Sequence, residues 1–300
     1  MRLIATVCLA LIIATPSAAR DFVGVGRLTT NDSLATWLDD RWRTGSGVLS
    51  FVTARNGQAE LDRFGDVVEF RLRAEVISPE NIVRPRAGDR PYAAALSFGV
   101  HTHFAAGATE VSLGADLVLT GPQTGLQNVQ GAIHDVLGIP GASDATLTTQ
   151  IPNGVHAAGT VEIARRFDVS PTVQARPFLE LQAGVETLSR VGVDFHIGQL
   201  ARGETMLRDA ITGHRYRIGR DFTPGWSGVL GADLAYVADS IFLPSSSGVT
   251  LTNTRARARA GMHWQSNHIS LFYGLTWLSP EFEAQRSGQT VGSMRLDFKF

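Results

Sequence analysis

The stretch VEFRLRAEV, residues 68–76, alternates apolar and charged side chains at every step. A two-residue period is typical of a β-strand whose two faces meet different surroundings. In a soluble sandwich the charged face would meet water. The same pattern recurs, however, in many segments of about 10 residues, which is typical of a transmembrane barrel with lipid outside and a polar lumen. The stretch therefore predicts an apolar face toward lipid and a charged face toward the lumen.

The C-terminal segment repeats this pattern. Met294, Leu296, Phe298 and Phe300 alternate with Ser293, Arg295, Asp297 and Lys299. A final phenylalanine on an amphipathic strand resembles the terminal signature of bacterial outer-membrane barrels. Aromatic residues on two preceding strands are candidates for an interfacial belt, although aromatics are also common in half-buried strands; they are Trp264, Tyr273 and Trp277.

The chain is predicted to be all-β, a 12-stranded antiparallel transmembrane β-barrel with a short helix in an extracellular loop. An even strand number places both termini on the periplasmic side. Residues 200–225 then fall on that side, where turns should be short, so this segment is either an unusual excursion or a miscount. The predicted strands are 22–29, 46–55, 67–77, 92–104, 109–120, 156–166, 173–187, 189–199, 226–238, 251–264, 268–279 and 290–300.

The N-terminus predicts export. Residues 1–19 have a short basic start, an apolar run and a small-residue cleavage site, which together indicate a signal peptide. Residues 20–300 are expected to form a single barrel domain. The only cysteine, Cys8, lies in the signal, so disulfides and thiolate metal sites are excluded from the mature chain. With 27 basic and 28 acidic residues, the chain gives no electrostatic argument for nucleic acid as a partner.

Strand parity gathers polar residues at the extracellular end. Loops at one end of a barrel are where function usually lies. Asn31 and Asp32 offer oxygen ligands for a hard cation such as calcium, although Asn-Asp after a strand is also ordinary turn chemistry. Asp89 and Arg90 form another polar cluster at this end, and a surface ion pair would also explain them. Two lumen histidines, His101 and His103, have a spacing that could chelate a metal or simply face water.

A helix is predicted in the segment from Leu119 to Pro140. Gln130 and His134 are four residues apart and therefore neighbours on one face. A histidine beside a glutamine over a polar lumen could act as general base on a water molecule, or it could be a plain surface histidine. Gly131 weakens the helix, so we expect the barrel wall to support it. The apolar face contains Leu126, Val129, Ile133, Val136 and Leu137.

At these residues the chain resembles the outer-membrane lipid A 3′-O-deacylase family. The resemblance follows the chain in order and is strongest from Asn31 through Gln150. Beyond Gln150 the chain resembles the family only in its architecture. The matching residues are Asn31-Asp32, Asp40-Arg41, Thr44-Gly45, Ser78-Pro79, the run from Asp89 to Ala93, Gly121-Pro122, Gly125, Gln130, His134, Gln150-Ile151 and Asn153.

The resemblance implies hydrolysis of the ester that holds the 3′-linked acyloxyacyl chain of lipid A, with Ca²⁺ as cofactor. By matched position, His134 is the general base and Gln130 orients it. Asn31 and Asp32 correspond to the calcium and oxyanion region, and Thr44 to a polar wall of the same site. Three departures stand out: Arg43 replaces a tyrosine, Arg84 and Arg86 are the only candidates for a Lys-Arg pair that contacts lipid A phosphates, and the tryptophan before Gln150 is missing.

Two alternatives remain open on the residues alone. An outer-membrane phospholipase would use the same chemistry on another lipid. The replacement of the family's Lys-Arg pair, for which Arg84 and Arg86 are the only candidates, favours a substrate other than lipid A. A non-enzymatic barrel would use the helix and loops to plug the lumen or bind a partner. In each case we expect a monomer integral to the outer membrane of a Gram-negative cell. Lipid A in lipopolysaccharide is the first candidate substrate.

Overall fold

The structure is a computed structural model that describes residues 20–36, 41–55, 57, 59–218 and 223–299. The predicted signal peptide and the matches at Asp40 and Phe300 lie outside the described residues. The strands are β1 (Asp21–Asn31), β2 (Trp42–Ala54), β3 (Val67–Ser78), β4 (Ala93–Ala106), β5 (Thr109–Thr120), β6 (Gly154–Arg165), β7 (Phe167–Ser170), β8 (Val173–Ala183), β9 (Glu186–Gly198), β10 (Met206–Arg208), β11 (Arg215–Arg217), β12 (Gly225–Ser240), β13 (Thr254–Gln265), β14 (Ile269–Leu278) and β15 (Gln289–Phe298).

The wall strands form a closed antiparallel barrel. β1 pairs with both β2 and β15, and β6 pairs with β8, so the described wall has no free edge. The short β7 follows β6 after one residue and pairs with the same neighbour, β8. When β6 and β7 are taken as one interrupted strand, the described wall has twelve strands, which confirms the predicted architecture.

The predicted strand boundary at residue 187 is wrong. The strand predicted over 173–187 ends at Ala183, and the next begins at Glu186. Gly184 makes the turn with a φ of 113°, and a Cβ atom there would lie 2.2 Å from the carbonyl oxygen of Ala157. Only glycine fits such a conformation and approach.

The alternation of residues separates lipid from lumen as predicted. Glu69 is fully buried inside the barrel, whereas the neighbouring Phe70 is about half exposed on the outer face. Trp226 and Trp264 face each other across β12 and β13 near the periplasmic end, and Trp277 lies one residue from the outer end of β14. All three indoles are exposed, as an interfacial belt requires. No helix in the described residues is long and apolar enough to span a membrane.

The described part of the segment between β9 and β12, residues 199–218 and 223–224, enters the lumen. Its hairpin, β10 and β11, carries Leu207 and Tyr216 into a buried apolar cluster with wall residues such as Leu28 and Val52. The Tyr216 hydroxyl lies 3.0 Å from the hydroxyl of Ser50 on β2. The strand count was therefore right, and the awkward segment is a plug that enters from the periplasmic end. Its polar sequence gave no periodic signal because its partners are luminal side chains rather than lipid.

Ion pairs fix the plug to the wall. Arg208 bonds to Glu162 of β6 and, at 2.7 Å, to Asp194 of β9. Asp194 also accepts a bond from Arg259 of β13. The guanidinium of Arg208 lies 3.8 Å above the ring of Phe178. One hairpin arginine thus links three wall strands, with its charge compensated on both sides.

We predict that Asp194→Ala destabilises the barrel. The substitution leaves Arg208 and Arg259 with less compensation in a buried setting, and removal of one partner from a buried ion pair costs about 3–5 kcal/mol. The measurement is urea unfolding of the protein folded in lipid vesicles, followed by tryptophan fluorescence. Asp168→Ala is the matched control, because Asp168 pairs with Arg202 at an exposed position. Equal midpoints for the two variants would show that the plug ion pairs add nothing to stability.

Candidate active site

The long outer loop between β5 and β6 contains two helices, α1 (Leu126–Leu137) and α2 (Asp144–Thr148). Gly125 and Gly138 bound α1 with left-handed backbone conformations, so the bounds follow the glycines of the sequence. Ser143 caps α2 by accepting a bond from the backbone N–H of Thr146. The predicted helix is confirmed.

Helix α1 lies on the outer face of the barrel wall. Leu126 packs against a buried cluster that contains Ala94 of β4, and Val76 of β3 packs against the same cluster. These two residues share the face of their strands with the exposed side chains of Leu72 and Phe98, which is the lipid-facing side. The expectation that the helix lies over the polar lumen is wrong. Strand parity fixes the end of the barrel at which a loop emerges, but not the side of the wall on which it folds.

The polar face of α1 is turned toward the protein. His134 is buried, and its Nδ1 lies 2.8 Å from the carbonyl oxygen of Pro140. Because a carbonyl oxygen only accepts, Nδ1 carries the proton and Nε2 is the basic nitrogen. One turn earlier, the Tyr92 hydroxyl donates to Oε1 of Gln130 at 2.8 Å. Sequence reasoning missed the roles of Tyr92 and Pro140: the former stood in the matched motif, whereas the latter acts through its backbone and leaves no side-chain signal.

The barrel wall supports α1, as expected, but through only part of the apolar face of the helix. Leu126 packs on the wall, but Val129, Ile133 and Val136 are exposed. The hydroxyl of Tyr92 and the carbonyl of Pro140 bind the opposite, polar face instead. Hydrophobic periodicity therefore identified the helix and its two faces, and the structure shows that the polar face is the one turned toward the protein.

Asn31 and Asp32 bring side-chain oxygens together at the outer end of β1. Oδ1 of Asn31 and Oδ1 of Asp32 both accept from the backbone N–H of Ser33, at 2.7 and 2.9 Å. Oδ2 of Asp32 accepts from the N–H of Arg41 at 2.9 Å. Because two oxygens converge on one donor, they are held close together. The following 3-10 turn, Asp32–Leu34, packs on the outer wall near Gly292.

Thr44 is buried on the neighbouring strand, beside this pair. Gly45 is directly opposite Asn31 in the ladder of β1 and β2. The β2–β3 register shifts between Trp42 and Gly45, and Trp42 has a φ of 50°. Such a bulge redirects side chains near a strand end. The structure thus brings Asn31, Asp32 and Thr44 together, while Gln130 and His134 lie on α1, which contacts β3 and β4.

Arg43, which stands where the family tends to have tyrosine, points into the lumen. It bonds to Glu75 and, at 2.7 Å, to Glu281. Arg90 is almost completely buried and bonds to the same Glu281 at 2.5 Å. Arg90 therefore pairs with the buried Glu281 rather than forming the expected surface ion pair with Asp89. We call Arg43, Glu75, Arg90 and Glu281 the outer ion cluster.

The two arginines expected to contact phosphates lie in the loop between β3 and β4, and both are exposed. Arg86 forms an ion pair with Glu80 at 2.7 Å. The backbone N–H of Arg84 is held by Asn81, and its guanidinium has no partner among the residues that the structure describes. Both side chains can therefore reorient toward an anion at this end of the barrel.

The lumen histidines pair with carboxylates. His103 lies 2.9 Å from Glu69 and 2.7 Å from the hydroxyl of Ser112, and His101 lies 3.3 Å from Asp116. These are luminal polar networks rather than water-facing side chains. In the described part of the chain, no group of three or more His, Cys, Asp or Glu residues could hold a metal ion.

A closed barrel with exposed apolar and aromatic bands, and with loop helices on its outer wall, defines an integral outer-membrane protein with a candidate site facing the lipid side. The family model for outer membrane protein LpxR matches residues 3–300. The chain belongs to this family, which confirms the resemblance found in its motifs.

One solved structure shares the fold. LpxR from Salmonella typhimurium superposes with a TM-score of 0.74 at 16% identity, covering 92% of this chain and 100% of that one. The KdgM porin matches with a TM-score of 0.41 at 6% identity, over 92% of this chain and 98% of the porin. The beta domain of the Bordetella autotransporter Brka scores 0.42 at 12% identity, over 93% and 100%. No curated protein matches in sequence.

We predict that Glu281→Gln destabilises the outer end of the barrel at neutral pH. Burial would raise the pKa of the Glu281 carboxyl, but Arg43 and Arg90 hold it well below its usual range. A hydrogen bond to a charged group contributes about 1.5–3 kcal/mol, so a loss of that size is expected in urea unfolding.

The pH dependence has a definite sign. A depressed carboxyl pKa stabilises the fold above the unfolded value of about 4.3, and this contribution is lost as the pH falls toward the folded pKa. The difference between Glu281→Gln and the unmodified chain should therefore be constant near neutrality and shrink below about pH 4. Glu283→Gln, in the same loop, is the control. A difference that does not change with pH would contradict the assigned ion pairs.

Proposed function

We propose that the chain is a lipid A 3′-O-deacylase, an outer-membrane ester hydrolase that removes the 3′-linked acyloxyacyl chain with the help of calcium. Membership of the LpxR family and the position of the candidate site on the outer wall support this proposal. Lipid A lies in the outer leaflet, which is the layer that this end of the barrel meets. An outer-wall site is therefore reachable from the leaflet itself.

The observation that carries the proposal is the state of His134. Its Nδ1–H is committed to the carbonyl of Pro140, so Nε2 is the nitrogen that accepts a proton. A backbone carbonyl that fixes the tautomer is the usual partner of a catalytic or metal-binding imidazole. Gln130, held by Tyr92 one turn away, orders the same face of the helix. We assign His134 as general base and Gln130 as the residue that orients it and the water.

In the proposed reaction, Nε2 of His134 takes a proton from water while the water oxygen attacks the ester carbonyl carbon. The tetrahedral intermediate collapses by breaking the bond to the sugar oxygen. The imidazolium returns its proton to that oxygen, which leaves a free 3′-hydroxyl and an acyloxyacyl carboxylic acid. No nucleophilic serine is needed, and general-base catalysis of this kind contributes about 10²–10⁴-fold.

Asn31 and Asp32 would hold calcium and border the developing oxyanion, with Thr44 as a polar wall. Their converging amide and carboxylate oxygens fit the all-oxygen preference of this cation. A cation held there would take its remaining ligands from water, substrate or backbone carbonyls. When bound, calcium would supply positive charge for the oxyanion. Arg84 and Arg86 would contact the phosphates of the substrate.

We predict that His134→Ala abolishes deacylation while the barrel still folds. The loss should be at least about 100-fold, because the general base is removed. The measurement is mass spectrometry of lipid A from cells that express each variant, with heat-modifiable gel migration as the check on folding. The expected result is that lipid A loses one acyloxyacyl group in cells that express the unmodified chain and keeps it in cells that express His134→Ala.

His156→Ala is the matched control. His156 also lies near the outer end, but on β6, where it contacts Thr120. It should retain activity. Lipid A that is unchanged by a correctly inserted unmodified chain would overturn the substrate assignment. Release of fatty acid from phospholipid in the same cells would then identify a phospholipase.

We also predict that purified protein loses activity when calcium is chelated and recovers it when calcium is returned. Asp32→Asn should raise the calcium concentration that gives half-maximal activity, since ligand charge sets affinity for this ion. The assay is release of the acyloxyacyl acid from lipid A micelles against free calcium. Asp135→Asn, an exposed carboxylate on α1, is the charge-matched control. Full activity in chelator would remove calcium from the proposal.

A further inference from the structure

Helix α1 presents an apolar stripe to the outside of the molecule. Val129, Ile133 and Val136 are 55%, 53% and 86% exposed, and Leu137 is 64% exposed. Residues three, four and seven apart share one side of a helix. Soluble surfaces rarely gather such side chains into one patch, and a patch of this kind marks a contact with a partner or with a membrane.

The helix has three distinct sides. Leu126, Gln130 and His134 face the barrel wall and the loop. Asn128 and Asp135 are both exposed and lie seven residues apart, so they share a second, polar side. The apolar stripe lies between these two. A helix that lies along a membrane protein at the bilayer surface has this arrangement: protein on one side, water on another and lipid on the third.

The helix that carries the stripe packs on the lipid-facing side of the barrel wall. Leu126 packs against the cluster that contains Ala94, and Leu96 is the next lipid-facing residue of β4, about 7 Å along the strand. In the barrel ladder Leu96 is opposite Leu119, and Leu119 is opposite Val155, which is 63% exposed on the same face. A helix is about 10 Å wide, so α1 lies within about one helix width of this band.

We propose that the apolar stripe of α1 is embedded among the acyl chains of bulk lipids in the outer leaflet, so that α1 is an interfacial membrane helix. The position of α1 against the lipid-facing wall, with its stripe exposed, identifies the occupant. The polar side then faces the headgroups and water. This contact requires only a bilayer, and it holds His134 at the depth where acyl chains meet their ester linkages whatever the reaction.

The experiment uses single cysteines, since the chain has no cysteine outside the predicted signal. Val136→Cys and Asp135→Cys are labelled with a polarity-sensitive fluorophore in the full-length mature protein, folded in phosphatidylcholine vesicles without lipid A. Lipids brominated on their acyl chains should quench the label at position 136 about twofold more than the label at 135, and aqueous iodide should show the reverse order. Leu117→Cys on the outer wall gives the response of a lipid-facing position.

Equal quenching at positions 135 and 136 would overturn the proposal. Protection of position 136 that needs lipid A would also overturn it, because the occupant would be substrate rather than bulk lipid. Protection in lipid-free detergent that rises with protein concentration would instead show a second copy of the chain. Asn128→Cys repeats the polar-side control, and heat-modifiable migration confirms that each labelled barrel is folded. Acyl-chain quenching confined to positions 136 and 117 is the supporting result.

Discussion

In a lipid layer every backbone N–H and C=O must find its partner within the protein, and closure of the barrel is how this chain satisfies them. The ladder from β6 through β1 and β15 to β8 leaves no open edge in the described wall. Once the wall is closed, each strand has one side toward lipid and one toward the lumen. The two-residue alternation then dictates that aromatic and aliphatic side chains face out and that charges face in.

A lumen lined by charged residues must be occupied by groups that pair with those charges. Barrels of about eight strands are filled by side chains and those of about sixteen leave a channel, so twelve strands leave space that must be occupied. The β10–β11 hairpin occupies it, with apolar contacts around Tyr216 and ion pairs around Arg208. The outer ion cluster serves the same purpose at the other end. Buried charges are tolerable there because each arginine meets carboxylates.

Local periodicity predicted the wall well, because lipid imposes the same contrast on every strand. It also predicted the helix within the segment from Leu119 to Pro140, and strand parity placed Asn31, Asp32 and His134 at one end of the barrel. It could not predict the plug, because the plug residues contact luminal side chains rather than lipid. It also could not predict which side of α1 is buried, because an apolar stripe looks the same in sequence whether it packs on protein or on lipid.

Helix α1 packs with its polar side toward the protein because of the groups that the wall and the loop present near the outer strand ends. Near the outer strand ends the wall presents small and polar groups, including Gly45, Ala94 and the hydroxyl of Tyr92, and the loop adds the carbonyl of Pro140. Polar side chains gain partners on that side of the helix, and apolar ones gain more by facing lipid. The result is a group of polar side chains held between α1 and the outside of a membrane barrel. A lipid can reach the outside of the wall by lateral diffusion, whereas a luminal site would require it to leave the bilayer.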